Sequence, residues 1–167
     1  MIYYIFPYIT IKSHRKPKMS LFLSTFENKV DIKGRVSLPS QFRSVLQYEG
    51  ENSLVLYESS INNCIEGCSL ARIEELSKKI DNLDPFSDEK DAFATIILGG
   101  SAQLQFDKDG RILLPKNLME FADISNGAVF VGKGQIFEIW KPENFEKYKI
   151  EARNKIKNNR EIFKNAK

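Results

Sequence analysis

The sequence predicts an α+β protein, mostly β, that contains two copies of one small unit. The first observation is the motif DIKGRVSLP (31–39), which recurs as DKDGRILLP (107–115). The second is that each motif is followed by a short apolar stripe at helical spacing and then by β-like runs. Each copy is therefore predicted to form strand, turn, strand, short helix, strand and strand.

The elements of the first copy follow in order. STFENKV (24–30) leads as a strand into the first turn. Pro39 suits the start of a helix, because its missing N–H would have no partner in the first helical turn. The stripe of this helix is formed by Phe42, Val45 and Leu46. SLVLY (53–57) and CIEG (64–67) predict the last two strands.

The second copy repeats this order. SAQLQF (101–106) alternates, with Ala102, Leu104 and Phe106 on one face of a strand. Pro115 precedes a helical stripe of Leu118, Phe121 and Ala122. AVFVG (128–132) and IFEIW (136–140) predict the closing strands. A unit of roughly 45 residues is too small to hold a good core alone, so we expect the two copies to share one sheet.

Helices are predicted between and after the copies. An amphipathic helix is indicated by apolar residues three and four positions apart: Leu70, Ile73, Leu76, Ile80 and Leu83. A second helix contains Phe93, Ile96 and Ile97 and stops at Gly99-Gly100. The tail after Trp140 is polar but helical in pattern. Three of its apolar residues are positioned to dock: Phe145, Tyr148 and Ile156.

The charge of the chain is unevenly distributed. The net charge of +3 divides into +4 over residues 1–18, −6 over 19–140 and +5 over 141–167. Most of the chain is therefore acidic, and any basic surface must be local. No run of 18 or more apolar residues is present, so the sequence predicts no membrane-spanning helix.

The first eighteen residues, MIYYIFPYITIKSHRKPK, do not fit the repeated pattern. Their basic residues follow the apolar segment instead of preceding it, and no A-x-A-like cleavage site appears, so a secretory signal is not favoured. We expect residues 1–18 to be an N-terminal extension outside the fold, with Met19 beginning the folded protein. A short anchor on a membrane surface is the alternative.

The sequence lacks the residue sets of common enzymes. Zinc normally takes four ligands, but Cys64 and Cys68 have no second pair, and the only histidine, His14, is far away. No Ser/His/Asp or Cys/His set is available for nucleophilic catalysis. No glycine-rich phosphate loop of the G-x-x-x-x-G-K-S type occurs. We therefore expect no enzymatic activity, no cofactor and no metal site.

The repeated turn is the candidate functional feature. Asp31 can accept a hydrogen bond from the backbone N–H two residues on, and Gly34 supplies a positive φ at little steric cost. Arg35, and Arg111 in the second copy, then leave the turn with their side chains near the tip. Such an arginine either pairs structurally with the turn aspartate or binds a polyanion. Lys33 and the duplication favour the polyanion, because the arginine fork suits phosphate and the guanine edge.

The repeated motif resembles that of a known family. Two copies of D-x-x-G-R-[VI]-x-L-P, the segment MSLFLSTFENKVDIKGRVSLPSQFR from Met19, and LVLY after the first helix resemble the MraZ family, as far as about Tyr148. The resemblance implies two tandem SpoVT/AbrB-like swapped-hairpin units forming a pseudo-two-fold β-barrel-like core with flanking helices. The expected segments are a first unit over 24–69, a helical linker over 70–100, a second unit over 101–144 and a polar C-terminal helix or tail over 145–167.

The resemblance also implies a function. Members of this family are sequence-specific transcriptional regulators, usually repressors, that act on the cell-division and cell-wall gene cluster. They bind double-stranded DNA with short direct repeats as a closed ring homo-oligomer in the cytoplasm and nucleoid, away from membranes. The competing class is a ring-forming protein-interaction scaffold without direct DNA readout, which the acidic charge of most of the chain favours.

The resemblance also assigns site residues, because several positions of this sequence match positions of the family's motif. Arg35 matches the DNA-contacting loop arginine, and Lys33 and Gly34 belong to the same loop. Arg111 is the second-copy equivalent, for which contact with DNA and a role in the ring interface both remain open. Arg43 matches a helix arginine that we assign to structure or interface. The second turn departs from the first because Asp109 replaces the lysine, which should weaken phosphate contact there. DAFATIILGGS (91–101) also lacks the arginines that the family tends to carry before the second copy.

Overall fold

The structure is a computed structural model that describes residues 21–48, 50 and 52–159. The predicted extension over 1–18 lies outside these residues. The first copy contains five elements: β1 (Thr25–Lys29), β2 (Arg35–Ser37), α1 (Ser40–Tyr48), β3 (Ser53–Glu58) and β4 (Ile65–Cys68). The linker contains three: α2 (Leu70–Asp81), α3 (Asp88–Phe93) and a π-helical segment (Ala94–Gly99). The rest follows as β5 (Ala102–Gln105), β6 (Arg111–Leu113), α4 (Lys116–Phe121), β7 (Gly127–Gly132), β8 (Phe137–Trp140) and α5 (Pro142–Asn158).

The strands of the two copies are interleaved. Six of them form one antiparallel sheet in the order β1-β7-β8-β4-β3-β5, and β2 pairs with β6 in a separate two-stranded ribbon. The first strand of each copy thus pairs with the third strand of the other, as expected for swapped hairpins. The predicted α+β, mostly β fold is confirmed. The proposed domain limits, 24–69 and 101–144, remain a prediction.

The strand register reveals a pseudo-two-fold axis. Val36 pairs with Ile112 in the ribbon, and Glu66 pairs with Glu138 in the sheet. Each of these pairs joins equivalent positions of the two copies, so the axis passes through both. The equivalent positions are 76 apart in the ribbon and 72 apart in β4 and β8, because α4 is shorter than α1 and the β7–β8 loop is shorter than the β3–β4 loop.

The main core lies between the six-stranded sheet, the ribbon, and helices α1 and α4. Phe42 of α1 is fully buried and packs edge-on to Phe22 with a ring separation of 5.3 Å. Phe137 of β8 contacts both rings, at 5.0 Å from Phe22 and 5.1 Å from Phe42. Each such ring contributes about 1.5–3 kcal/mol through burial. The predicted stripes do supply this core: Phe42, Val45 and Leu46 from α1, and Leu118 and Ala122 from α4 and its end.

The outer face of the sheet is covered by the helices that flank the two copies. Phe145 and Tyr148 of α5 pack on Trp140, with Tyr148 stacked on the indole at 4.8 Å. The prediction that Phe145 and Tyr148 dock is therefore confirmed. The same prediction is wrong for Ile156, which is 68% exposed. The reason is that α5 makes its apolar contacts with the sheet through its first two turns only.

The other half of the outer face is covered by α2 and the π-helical segment, through Leu70, Ile73, Leu76 and Ile97. Cys68 lies beneath this layer, and the side chains of Cys64 and Cys68 are both buried. Burial raises the pKa of the Cys64 thiol well above its ordinary range. Among the described residues, no helix is long and apolar enough to cross a membrane.

Candidate nucleic-acid interface

The first repeated turn is held by the side chain of Asp31. One carboxylate oxygen accepts the backbone N–H groups of Lys33 and Arg35, each at 2.9 Å, and the other accepts Nε of Arg35 at 2.7 Å. The turn closes with a bond of 2.9 Å from the N–H of Gly34 to the carbonyl of Asp31, and Gly34 has φ +81°. The predicted aspartate–glycine turn is thus formed, and its aspartate also pairs with the arginine.

The second turn repeats this geometry atom for atom. Asp107 accepts the backbone N–H groups of Asp109 and Arg111 at 2.9 Å, and Nε of Arg111 at 3.1 Å. Gly110 has φ +75°. The backbone hydrogen bond from the arginine is the main cause that lowers the pKa of Asp31 and of Asp107 from the ordinary 3.8. Both carboxylates are therefore ionised at neutral pH and fix the arginine backbone and Nε together.

Both arginines lie on the same outward face of the ribbon. Arg35 pairs with Leu113, and Arg111 pairs with Ser37, across β2 and β6. Val36 lies between Arg35 and Ser37 in the chain and is buried, so the residues on either side of it point to solvent. Arg35 and Arg111 are diagonal neighbours, with Cα atoms roughly 7–8 Å apart. Sequence reasoning predicted two loop tips, and the pairing of β2 with β6 brings their arginines onto one surface.

The two guanidinium groups differ in how far they are neutralised. Their side chains are similarly exposed, 41% for Arg35 and 38% for Arg111. Arg111 uses Nη2 as well, in an ion pair of 2.8 Å with Asp109. Within the described residues, Arg35 makes its side-chain hydrogen bonds through Nε alone. Arg35 therefore keeps both terminal nitrogens available to a ligand, whereas Arg111 does not.

Different side chains lie over the two turns. Arg43 of α1 donates from Nη1 to the carbonyl of Leu38 and lies so close to Gly110 that a Cβ there would clash with its guanidinium. The equivalent residue of α4, Met119, lies over Gly34, with its sulfur 3.4 Å from the position of a Cβ. Arg43 is therefore held within the protomer and adds positive charge beside the second turn.

The ribbon and its turns form a local basic surface, here called the ribbon face. Its cations are Lys33, Arg35, Arg43, Lys108 and Arg111, and its carboxylates are Asp31, Asp107 and Asp109. Five positive groups against three negative ones give this surface the opposite sign to residues 19–140 as a whole, which carry −6. Over the described part of the chain, no three His, Cys, Asp or Glu side chains come together as a metal site would require.

Sequence reasoning missed two residues of the ribbon face. Ser37 and Leu113 are exposed and stand across the ribbon from the arginines. The signal for them was present, since residues two apart on a strand share a face. The sequence did not reveal that β2 pairs with β6, and without that pairing Leu113 could not be placed beside Arg35.

The fold and the ribbon face together define a duplicated swapped-hairpin protein of α+β class that presents paired arginine turns on one surface. A protein of Rickettsia typhi named "Transcriptional regulator MraZ" is 54% identical over 136 residues, 81% of this chain and 91% of the relative. A protein of the same name from Pelagibacter ubique is 53% identical over 144 residues, 86% of this chain and 93% of the relative. A family model described as "MraZ protein, putative antitoxin-like" matches residues 97–165. The chain belongs to the MraZ family.

Proposed function

We propose that this chain is a sequence-specific DNA-binding transcriptional regulator. The observation that carries the proposal is the ribbon face, on which Arg35 and Arg111 stand together although residues 19–140 as a whole carry −6. The relatives named as transcriptional regulators support the same function. Repression, the cell-division and cell-wall gene cluster as target, and a cytoplasmic, nucleoid-associated location are further parts of the proposal that rest on the family resemblance.

The proposed contacts to DNA are made by Lys33, Gly34, Arg35 and Arg111. A two-stranded ribbon is narrow enough for the major groove of B-DNA, where a guanidinium can bind phosphate oxygens or the guanine edge. The free terminal nitrogens of Arg35 make it the stronger contact. Lys33 adds a second cation at the same tip, and Gly34, which is itself buried, supplies the positive φ that shapes the turn. Arg111 contributes less, because Asp109 already occupies its Nη2.

A single protomer should bind DNA weakly. The net positive charge of the ribbon face is small, and each neutralised phosphate adds only about −0.9 to the slope of log affinity against log salt. We therefore propose that protomers assemble into a closed ring and bind successive direct repeats. Such multivalent binding can raise affinity by roughly 10² to 10⁴ when the spacing fits.

An exposed apolar surface supports self-association. Phe93 and Ile96 are 43% and 44% exposed, and they line an apolar pocket of about 410 Å³ together with Ile97. Ile61, in the loop between β3 and β4, is 85% exposed. Apolar patches rimmed by polar residues are typical of protein–protein contacts. The ring interface and the ribbon face then use separate elements of the chain.

The experiment is a fluorescence anisotropy titration with duplex DNA from upstream of this protein's own gene, against a scrambled duplex. The wild type should prefer its own DNA, and its affinity should fall steeply with salt. Arg35→Ala should lose about five-fold or more in affinity, since one bidentate arginine contact is worth about 1–3 kcal/mol. Arg153→Ala removes the same charge from the exposed side of α5 and should bind normally.

The scaffold alternative predicts a different result. It is favoured by the −6 charge of residues 19–140 and requires assembly without DNA readout. If the wild type forms a stable oligomer but binds its own upstream DNA no better than scrambled DNA at every salt concentration, the scaffold is correct. If Arg35→Ala and the wild type bind equally well, the assignment of the ribbon face is wrong.

A further inference from the structure

The ribbon face carries an exposed leucine between its two arginines. Four side chains of β2 and β6 point outward there, namely those of Arg35, Ser37, Arg111 and Leu113. Leu113 is 57% exposed. The equivalent position of the first copy holds a small polar residue, Ser37. The two copies therefore differ at this position in the chemistry that they present to a ligand.

Leu113 stands close to the arginine that has free terminal nitrogens. The N–H of Leu114 bonds to the carbonyl of Gly34, so the adjacent pair, Arg35 and Leu113, is a non-hydrogen-bonded pair of the antiparallel ladder. The Cα atoms of such a pair are only about 4.5 Å apart. Cδ1 of Leu113 also lies 3.8 Å from the Cβ position of Gly34, against the first turn. Any base contacted by Arg35 would therefore lie within reach of a neighbouring apolar group.

We propose that Leu113 reads a thymine by contact with its C5-methyl group. The inference rests on the proposed function, since it requires the ribbon face to meet the major groove. Thymine is the base that offers an apolar methyl group in that groove, whereas cytosine has only a hydrogen at C5 and presents an amino donor beside it. A leucine can bury the methyl group of thymine and finds no such group on cytosine. Leu113 thus gives the ribbon face a preference for one base beside the contact made by Arg35.

Ile32 is the natural comparison residue. It is fully exposed at the tip of the first turn, between Asp31 and Lys33. Its position on the turn, off the ribbon strands, favours contact with the DNA backbone over contact with base edges. The equivalent residue of the second turn, Lys108, fits such a backbone contact. Ile32 is therefore an exposed apolar residue like Leu113, but it is more exposed and lies on the turn instead of on a ribbon strand.

The experiment replaces single thymines of the upstream duplex by uracil, which lacks only the methyl group. Wild-type affinity should fall about four-fold at one thymine of the bound repeat, the equivalent of about 0.8 kcal/mol for one buried methyl group. Leu113→Ala should bind the thymine duplex about four-fold more weakly than the wild type and should bind the uracil and thymine duplexes equally. Ile32→Ala should keep the wild-type sensitivity to uracil.

The outcomes separate this inference from the proposed function. If the wild type prefers its own upstream DNA but is insensitive to uracil at every thymine, or if Leu113→Ala keeps the sensitivity, the inference is overturned and the proposed function stands. The inference is equally overturned if Ile32→Ala removes the sensitivity, or if Leu113→Ala changes the oligomer mass, which would assign the leucine to a contact with a second copy. If the wild type does not prefer its own DNA, both fail together.

Discussion

The contrast between the two turns leads to a prediction about Asp109. This carboxylate lies 2.8 Å from Nη2 of Arg111 and is 55% exposed, and the first turn has Lys33 at the same position. Asp109→Asn keeps the size of the side chain and removes its charge. The bond from the backbone N–H of Asp109 to Asp107 does not depend on the side chain, so the turn should keep its shape. The substitution should replace the ion pair by at most a weaker neutral hydrogen bond, so that Arg111 can turn to DNA.

The magnitude follows from the charges involved. An exposed ion pair contributes about 0.2–1 kcal/mol, so the free energy of unfolding should change by no more than that amount. DNA binding should respond more strongly, because one more phosphate contact per protomer adds about −0.9 to the salt slope. At 0.15 M salt this term corresponds to about five-fold tighter binding for each protomer that meets DNA. The gain should compound where several protomers bind one duplex.

The assay is the anisotropy titration with upstream DNA, repeated at four or more salt concentrations. Glu74→Gln removes one exposed negative charge from α2 and serves as the matched control. The control should show little change in slope, since long-range charge effects are screened beyond a Debye length of about 8–10 Å. Equal slopes for Asp109→Asn and the wild type, or an equal gain in the Glu74→Gln control, would refute the view that Asp109 neutralises Arg111.

Two further predictions concern the stability of the turns. The pKa values of Asp31 and Asp107 are lowered in the folded state, so the contribution of these carboxylates to stability is present above about pH 4 and is lost as the pH falls below it. The double variant Asp31→Asn/Asp107→Asn should therefore show a shallower fall of Tm than the wild type between about pH 5 and pH 2. A parallel fall of Tm in the two proteins would contradict this prediction. In urea titrations, Gly110→Ala should lower the free energy of unfolding by about 1 kcal/mol more than Gly34→Ala. Both variants place an alanine at a positive φ, but only Gly110→Ala displaces Arg43 from its hydrogen bond to the backbone. An equal loss in the two variants would show that Arg43 moves without cost.

The local structure of the turns could be predicted from the sequence because it depends on neighbouring residues. An aspartate three positions before a glycine predicts the turn, and among the described residues the side chain of Asp31 bonds only to residues within four positions of it. The helical stripes could be predicted in the same way, because the apolar residues that follow Phe42 in α1 and Leu118 in α4 are three and four positions on, as in a helix. The sequence also predicted that Asp109 weakens phosphate contact at the second turn. The structure shows the ion pair between Asp109 and Arg111 that would cause this effect.

Other features were beyond the sequence because they depend on distant partners. The linker was predicted as a helix ending at Gly99-Gly100, but the π-helical segment Ala94–Gly99 follows α3 and leaves Phe93 and Ile96 partly exposed. The spacing of apolar residues in α5 indicates that Ile156 can contact another element. It does not show whether the sheet extends far enough along the helix to meet Ile156. The two arginines share one outward face because β2 pairs with β6. The alternation of buried and exposed residues within each strand does not show which strand is its partner.

By itself, the sequence determined two copies of one turn that carries basic residues. This was possible because the hydrogen bonds that shape an aspartate–glycine turn join residues only a few positions apart. The tertiary structure alone decided that the two turns flank one ribbon, that Leu113 lies beside Arg35, and that Arg43 lies over Gly110. These contacts join residues that are about 70 or more positions apart in the chain. They are set by the shared core that forces the two copies to exchange strands, since neither copy is large enough to bury its own apolar faces.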